Sequence, residues 1–245
     1  MRRALISPIA IGLSLLTLLT IAGCAKAGFW QYHRGVVRHD VNSQVKANIA
    51  LPVLTESEFN SIVKDPTALH ENQWRTVSVT GTFIPEHELL LRNRYVEGKY
   101  GFGVITLFKS NAGQSFWVDR GWIQAGKDAK TPPNVERTST GQIEISARLR
   151  TNDLNNRVKG SFFALPSNGK TELQNWDSSQ SVKTADFSLD LMQASNPLLT
   201  PQFPNPLPEL TDGPHFAYAL QWLLFAFLAL FGRILIFREE LRASK

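Results

Sequence analysis

The residues from position 215 onward combine an imidazole with aromatic side chains at helical spacing. His215 directly precedes an apolar stretch that contains Tyr218, Gln221 and Trp222. On a helix, offsets of three and seven residues bring Tyr218 and Trp222 close to the face of His215, with Ala219 at offset four. Imidazole is a common axial ligand of haem iron, and a small Ala219 would leave room for a flat ring. The spacing also fits an ordinary interfacial anchor, because Tyr and Trp concentrate at membrane surfaces.

Other polar clusters indicate structure rather than catalysis. Glu86 and Glu88 flank His87, but carboxylates two residues apart on a strand or turn usually form a solvated face. Asp119 and Arg120 end an apolar stretch and are expected to form a structural ion pair, with a partner-binding surface as the alternative. The sequence has no nucleophile elbow, P-loop, dinucleotide fingerprint or zinc-protease motif, so we expect no enzymatic activity.

Cys24 is the sole cysteine, so the chain forms neither an intramolecular disulfide nor a Cys-Cys metal site. It ends the string Ile-Ala-Gly-Cys after a basic start and an apolar stretch, which resembles a bacterial lipoprotein cleavage site. Apolar helices rich in Ala and Gly also produce such strings by chance. We favour an uncleaved helix and keep a lipid-modified Cys24 as the alternative.

Two apolar segments set the expected architecture. Each has about the length of a transmembrane helix, on the order of 20 residues. The chain between them has no comparable apolar run and is long enough for one well-packed domain. We therefore predict a membrane hairpin that carries one soluble domain. Its parts are a first transmembrane helix at residues 4–28, the domain at 30–195, a proline-rich connector at 196–214, a second transmembrane helix at 215–237 and a tail at 238–245.

The distribution of charge predicts the orientation of the hairpin. The net charge is +5, but residues 30–212 hold 19 Lys and Arg against 19 Asp and Glu, so the excess lies beside the spans. Arg238, Arg242 and Lys245 follow the second span, whereas residues 184–232 contain no Lys or Arg. The positive-inside rule then places both termini in the cytoplasm and the domain outside the plasma membrane. A neutral domain without a basic stripe argues against nucleic-acid binding.

Alternation of apolar and polar residues predicts a mainly β domain. The strand-like segments are residues 74–80, 87–95, 102–109, 115–123 and 142–150, with shorter candidates at 161–165 and 186–192. Short strands at roughly even spacing favour an antiparallel barrel or sandwich with one or two helices, an α+β fold. Thr55 and Glu58 have the spacing of an N-cap and third residue of a short helix. Six prolines exclude a regular helix or central strand from the connector.

Taken in order, these motifs resemble the Surfeit locus protein 1 family, the Surf-type assembly factors of haem–copper cytochrome oxidases. The resemblance covers nearly the whole chain. Its motifs are Trp30-Gln31 with Arg34, Trp74-Arg75-Thr76-Val77, Gly81, Phe83, Arg92, Val118-Asp119-Arg120-Gly121-Trp122, Pro132-Pro133, Ala147-Arg148-Leu149-Arg150 and Tyr218-Ala219-Leu220-Gln221-Trp222. Each motif is weak alone, but their order and their agreement with two spans make the set specific.

The resemblance implies an assembly role rather than catalysis, in a bacterial plasma membrane. Such proteins are thought to bind haem A, or to receive it from the haem A synthase, and to help place it in oxidase subunit I. A histidine at the outer end of the second span is a proposed haem ligand, and His215 matches that position. We therefore expect transient haem A, with His215 as iron ligand, Tyr218 and Trp222 as walls and Gln221 as a polar contact.

Two other functions remain open at the level of sequence. A scaffold could stabilise an oxidase assembly intermediate without binding haem, and every feature except His215 fits it equally well. A lipid-anchored envelope protein of unrelated function would instead explain the pattern at Cys24. The mass of the mature N-terminus tests this last alternative. An N-terminus at residue 1 or 2 excludes it, whereas cleavage before a diacylglyceryl-modified Cys24 supports it.

Overall fold

The computed structural model describes residues 7–126, 133–138, 140–151 and 182–243. Its elements are helices α1 (Pro8–Ala50), α2 (Glu56–Ile62) and α3 (Pro66–Glu71), strands β1 (Thr76–Val96), β2 (Lys99–Ser110), β3 (Ser115–Gln124), β4 (Ile143–Thr151) and β5 (Phe187–Ala194), a 3-10 helix (Pro197–Leu199) and helix α4 (His215–Ala243). They form two compact units, Met1–Gln44 with Glu209–Lys245, and Val45–Pro208. The strand expected at 161–165, Pro132 and Lys245 lie outside the described residues.

The first unit consists of the two long apolar helices that the sequence predicts. Both α1 and α4 are long and apolar enough to cross a membrane. Leu19, Leu220 and Phe227 are among many large apolar side chains that are more than half exposed. Exposed apolar surface on this scale fits a lipid environment rather than water. Helix α1 continues without a break past residue 28, where the first span was expected to end, so the polar stretch at 36–48 is helical.

The second unit is a closed barrel of five strands in the order β1-β2-β3-β5-β4. Neighbouring strands are antiparallel except β3 and β5, which pair in parallel where Val118 lies opposite Leu189. The predicted barrel is therefore confirmed, and its sheet is mixed rather than purely antiparallel. Five strands closed in this way form a Greek-key barrel of the OB type, which leaves no free sheet edge.

Strand β1 is one element of 21 residues, where the alternation predicted two strands at 74–80 and 87–95. Its register against β2 shifts between Ile84 and Glu88. This shift contains Pro85, which cannot donate a ladder hydrogen bond and is tolerated in a bulge. Residues 76–81 of β1 pair with β4 and residues 81–96 pair with β2, so one long strand joins two neighbours in the barrel.

Helix α2 contributes a large aromatic side chain to the barrel core. Phe59 is fully buried, and its ring lies edge-on to Phe116 and Phe187 at centroid distances of 6.2 and 5.4 Å. The helix begins with the predicted capping box, in which Thr55 Oγ1 accepts from the Glu58 N–H and the Glu58 carboxylate accepts from the Thr55 N–H. The hydrogen bond from the Thr55 backbone lowers the pKa of Glu58.

Candidate functional site

His215 is the first residue of α4, and its ring is held by α1. Imidazole Nδ1 lies 2.9 Å from Oε1 of Gln31. With the amide oxygen of Gln31 facing the ring, this contact requires a hydrogen on Nδ1, and in a neutral imidazole Nε2 then keeps the lone pair. Within the described part of the chain, Nε2 has no hydrogen-bond partner, and the residue is only partly buried. The ring nitrogen that can bind a metal is therefore the one left free.

The loop before His215 is tied to α1 by polar contacts. They join Arg38 Nε to Thr211 O (2.6 Å), Asn42 Nδ2 to Asp212 Oδ1 (3.1 Å) and His39 Nδ1 to Asp212 Oδ2 (2.8 Å). Gly213 follows with a φ of +66°, which a glycine adopts without strain. We call these contacts the Asp212 clamp. They fix the backbone from which His215 projects.

Small residues let α1 and α4 approach closely beside this clamp. A methyl group added to Gly28 would lie 3.5 Å from the carbonyl oxygen of Ala219 and 3.4 Å from Cβ of Trp222. One added to Gly35 would lie 3.0 Å from the ring of Phe216. Ala219 is accordingly buried. The space beside Ala219 is thus occupied by α1, and the sequence interpretation that left it open for a flat ring is wrong.

The four predicted site residues differ in how far they are buried. His215 and Trp222 are partly buried, whereas Tyr218 and Gln221 are exposed. The structure therefore brings His215 together with Gln31 rather than with Tyr218 or Gln221. Gln31 belongs to a family motif, but its separation of 184 residues from His215 hid the contact from sequence reasoning.

The family motifs of the barrel converge on a buried ion pair. Asp190 is fully buried and accepts from Arg150 at 3.1 Å and from Asn205 Nδ2 at 3.3 Å. The guanidinium of Arg150 lies 3.5 Å from the ring centroid of Trp74, a cation–π contact. Arg148 donates to the Asn205 carbonyl, and burial lowers the pKa of Arg148 while Asp190 raises it. We call these five residues the Asp190 cluster.

A second buried ion pair forms around Arg120. Its NH1 donates to the Glu88 carboxylate at 2.9 Å, and its NH2 donates to the Glu136 carbonyl at 2.8 Å. Burial lowers the pKa of Arg120, and the charges of Glu88 and Glu136 oppose that shift. Asp119 instead accepts the N–H of Gly121 at 2.9 Å. Adjacent strand residues point to opposite faces, so the partner of Arg120 is Glu88, not the expected Asp119.

Neither cluster resembles a metal centre. Across the described ranges, no group of three or more His, Cys, Asp and Glu side chains is arranged to hold a metal ion. Glu86 is exposed, as expected for a solvated face, whereas Glu88 is partly buried and pairs with Arg120, a partner that the sequence did not indicate. Cys24 lies buried inside the continuous helix α1. His215 is therefore the one predicted ligand that the structure presents with a free ring nitrogen among the described residues.

Arg233 of α4 joins the two helices of the first unit near the N-terminal end of α1. Its Nε donates to Ser14 Oγ at 3.0 Å and its NH2 to the Ala10 carbonyl at 3.1 Å. Glu240 supplies a carboxylate at 3.3 Å. A charged side chain within a membrane span is tolerated when its donors are satisfied in this way. Arg233 therefore acts as a polar clasp between α1 and α4.

Removing this clasp is expected to weaken the hairpin. Arg233→Met keeps the side-chain length but deletes the bonds to α1 and leaves the Glu240 carboxylate unpaired. We expect a loss of about 1 kcal/mol, the scale of interhelical polar contacts in membranes. Thermal unfolding of the full chain in detergent, followed by helical circular dichroism, measures it. Arg242→Met is the control, because the Arg242–Glu239 pair is exposed; equal midpoints for both variants would contradict the clasp.

A comparison with known families decides where this architecture belongs. The sequence profile of the SURF1 family matches residues 18–227. The chain belongs to the SURF1 family. The matched region includes most of helix α1, the whole barrel and the first turns of α4, so both Gln31 and His215 fall within it.

Curated SURF1 relatives align with much of the chain. Uncharacterized SURF1-like proteins of Mycobacterium bovis and Mycobacterium tuberculosis are each 26% identical over 226 residues, covering 88% of this chain and 78% of their own length. A SURF1-like protein of Rickettsia felis is 28% identical over 112 residues, covering 45% of this chain and 46% of its own. SURF1 proteins are known as oxidase assembly factors, which supports the role that the motifs predicted.

Proposed function

We propose that this SURF1 protein is a membrane-anchored assembly factor that presents haem A to subunit I of a haem–copper cytochrome c oxidase. The observation that carries the proposal is the imidazole of His215, whose Nδ1 is engaged by Gln31 and whose Nε2 is free. Neutral imidazole with one nitrogen anchored is the usual form of a histidine ligand. Haem, when bound, supplies an iron centre and a largely apolar ring. The protein itself carries out no catalytic step.

The side chains near His215 fit a cofactor that is held loosely and then released. The donor set is a single imidazole, and the described residues add no further cluster of metal ligands. Phe216 and Tyr218 are 40% and 46% exposed, so aromatic surface is available on the same turn. Aromatic side chains are well suited to contact a flat apolar ring. We expect Tyr218 and Trp222 to flank the ring and Gln221 to supply a polar contact.

The membrane arrangement supports the same role. Two apolar helices give a two-pass membrane protein with a soluble domain between the spans. Arg238 and Arg242 follow the second span, so we propose that both termini are cytoplasmic and that the plasma membrane holds the protein. His215 then lies at the extracytoplasmic end of α4. Its partners would be oxidase subunit I as acceptor and the haem A synthase as donor.

The visible absorption spectrum of the purified full chain tests the proposal. The protein is isolated in mild detergent from cells that make haem A, as wild type, His215→Ala and His70→Ala. We expect a red-shifted haem A band in the wild type and its loss in His215→Ala, because the axial ligand is gone. His70 is exposed in the other unit, so His70→Ala should keep the band. A wild type without haem would contradict direct binding.

A scaffold that binds no haem is the second candidate function. It is favoured by the Asp190 cluster, because the shared motif residues Trp74, Arg148 and Arg150 are engaged in buried structural contacts. Such a barrel would serve as a rigid platform for oxidase subunits. Two results together would support this function over haem delivery. The purified protein would contain no haem, and cells that lack the protein would still make an oxidase with a lower haem content.

A further inference from the structure

We infer that Gln31 is a positioning residue that fixes the tautomer and orientation of His215, so that the lone pair of Nε2 is presented to a metal. That the metal is haem iron rests on the proposed function. The inference goes beyond the proposed function because it assigns a role to a residue of α1. The contact that carries it is the 2.9 Å separation of His215 Nδ1 and Gln31 Oε1.

The tautomer follows from the chemistry of the pair. A neutral imidazole carries one hydrogen, and either nitrogen can hold it unless a neighbour selects one. With its amide oxygen toward the ring, Gln31 accepts at Nδ1, which favours the Nδ1–H form of the neutral imidazole over the Nε2–H form. Metal-binding histidines almost always donate their other N–H to such an acceptor. The amide is uncharged, so it orients the ring with less increase in ligand basicity than a carboxylate would give.

The position of Gln31 on α1 is set by the glycines on either side of it. Gly28 and Gly35 are three residues before and four residues after Gln31, so the three share one helix face. Both glycines pack against α4, beside Trp222 and Phe216. An added Cβ would already touch α4 at Gly28 and would be crowded at 3.0 Å from the Phe216 ring at Gly35. The glycines thus bring the amide within hydrogen-bonding distance of the imidazole.

The backbone of His215 is fixed independently of its ring. The Asp212 clamp anchors the preceding loop to His39 and Asn42, about two and three turns further along α1 than Gln31. The imidazole is therefore held at two points, its main chain and its Nδ1. A ligand fixed at both points needs no rearrangement to bind, which is the preorganisation expected of a binding site.

Nuclear magnetic resonance of the haem-free full chain tests the tautomer directly. The protein is labelled with ¹⁵N-histidine in detergent micelles, and His215→Ala assigns the ring signals of His215. We expect the wild type to show Nδ1–H with unprotonated Nε2. Gln31→Leu should convert the ring to a tautomer mixture, whereas Gln31→Glu, which keeps an acceptor, should restore Nδ1–H. Gln202→Leu, at an exposed position of the other unit, is the control.

The outcomes separate this inference from the proposed function. A wild type in the Nε2–H form, or an unchanged tautomer in Gln31→Leu with the other histidine signals intact, would overturn it. Hemin titration of the same samples gives the second readout, and we expect affinity to fall about 10–100-fold in Gln31→Leu, the usual effect of losing an outer-shell partner. If the wild type shows Nδ1–H but binds no hemin, haem binding fails while the positioning role stands.

Discussion

Asp190→Ala is expected to destabilise the barrel by about 3–5 kcal/mol, the usual cost of removing one partner from a buried ion pair. Asp190 is fully buried, and its partner Arg150 has only 10% of its side chain exposed. Without the carboxylate, the guanidinium of Arg150 keeps its contact with Trp74 but loses the opposite charge of Asp190. Asn205 loses its acceptor as well. The loss is expected to be large because the Arg150 guanidinium is too deeply buried to replace the carboxylate fully with water.

Denaturant unfolding of the full chain in detergent, followed by near-ultraviolet circular dichroism, measures this loss. Asp190→Asn is the informative companion, because it keeps the shape and a carbonyl acceptor while removing the charge. We expect Asp190→Asn to fall between the wild type and Asp190→Ala. Glu144→Ala removes a carboxylate from the exposed face of β4 and should change stability by less than about 1 kcal/mol. Equal effects of Asp190→Ala and Glu144→Ala would contradict the cluster.

The consequence for function is that loss of assembly activity has two separable origins. Asp190→Ala should lower oxidase haem content by lowering the amount of folded protein. His215→Ala should lower it at a normal protein level, because His215 is outside the barrel core and its ring makes one hydrogen bond among the described residues, to Gln31. Immunoblotting of membranes beside the oxidase spectrum distinguishes the two. A SURF1 protein that acted only as a scaffold would tolerate His215→Ala.

Much of the fold could be predicted because its signals are local. The capping box of α2 follows from Thr55 and Glu58 alone, and period-two alternation located β2, β3, β4 and β5 to within a few residues. The continuity of β1 could not be predicted, because Pro85 and its neighbours look like a break in the sequence. The parallel pairing of β3 with β5 is a matter of topology, which alternation within single strands does not encode.

The sequence predicts His215 as a candidate ligand, a role that stays a prediction, but it does not predict the contact that holds the ring of His215. His215 stands out by its type and its place before an apolar helix. Its partner Gln31 lies on another helix, and no local pattern links the two. At Ala219 the sequence pattern is ambiguous. A small residue beside a histidine is compatible both with an open pocket and with close packing of two helices. The approach of Gly28 to the Ala219 carbonyl shows that α1 packs there. The sequence alone does not reveal this contact, because the two residues lie on different helices.

Gly121→Ala is expected to destabilise the barrel by about 3 kcal/mol. Gly121 has a φ of +88°, and an added Cβ would lie 2.5 Å from the carbonyl oxygen of Phe203 and 2.9 Å from Cβ of Pro201. The left-handed backbone alone costs about 1–2 kcal/mol in a residue with a side chain. The clash falls on the backbone of residues 201–208, which must move away. That movement breaks the 3.0 Å hydrogen bond from the Trp122 N–H to Phe203 O, adding about 1–3 kcal/mol.

Gly113→Ala is the matched control, because Gly113 has a similar φ of +84° and an added Cβ there meets nothing within 4 Å. Gly113→Ala should lower the free energy of unfolding only by the cost of a left-handed backbone at alanine, about 1–2 kcal/mol. The difference between the two variants therefore isolates the contact between Gly121 and residues 201–208. Hydrogen exchange should show loss of protection at the Trp122 amide in Gly121→Ala alone. Equal stability losses with unchanged exchange would mean that Gly121 is required only for its backbone conformation.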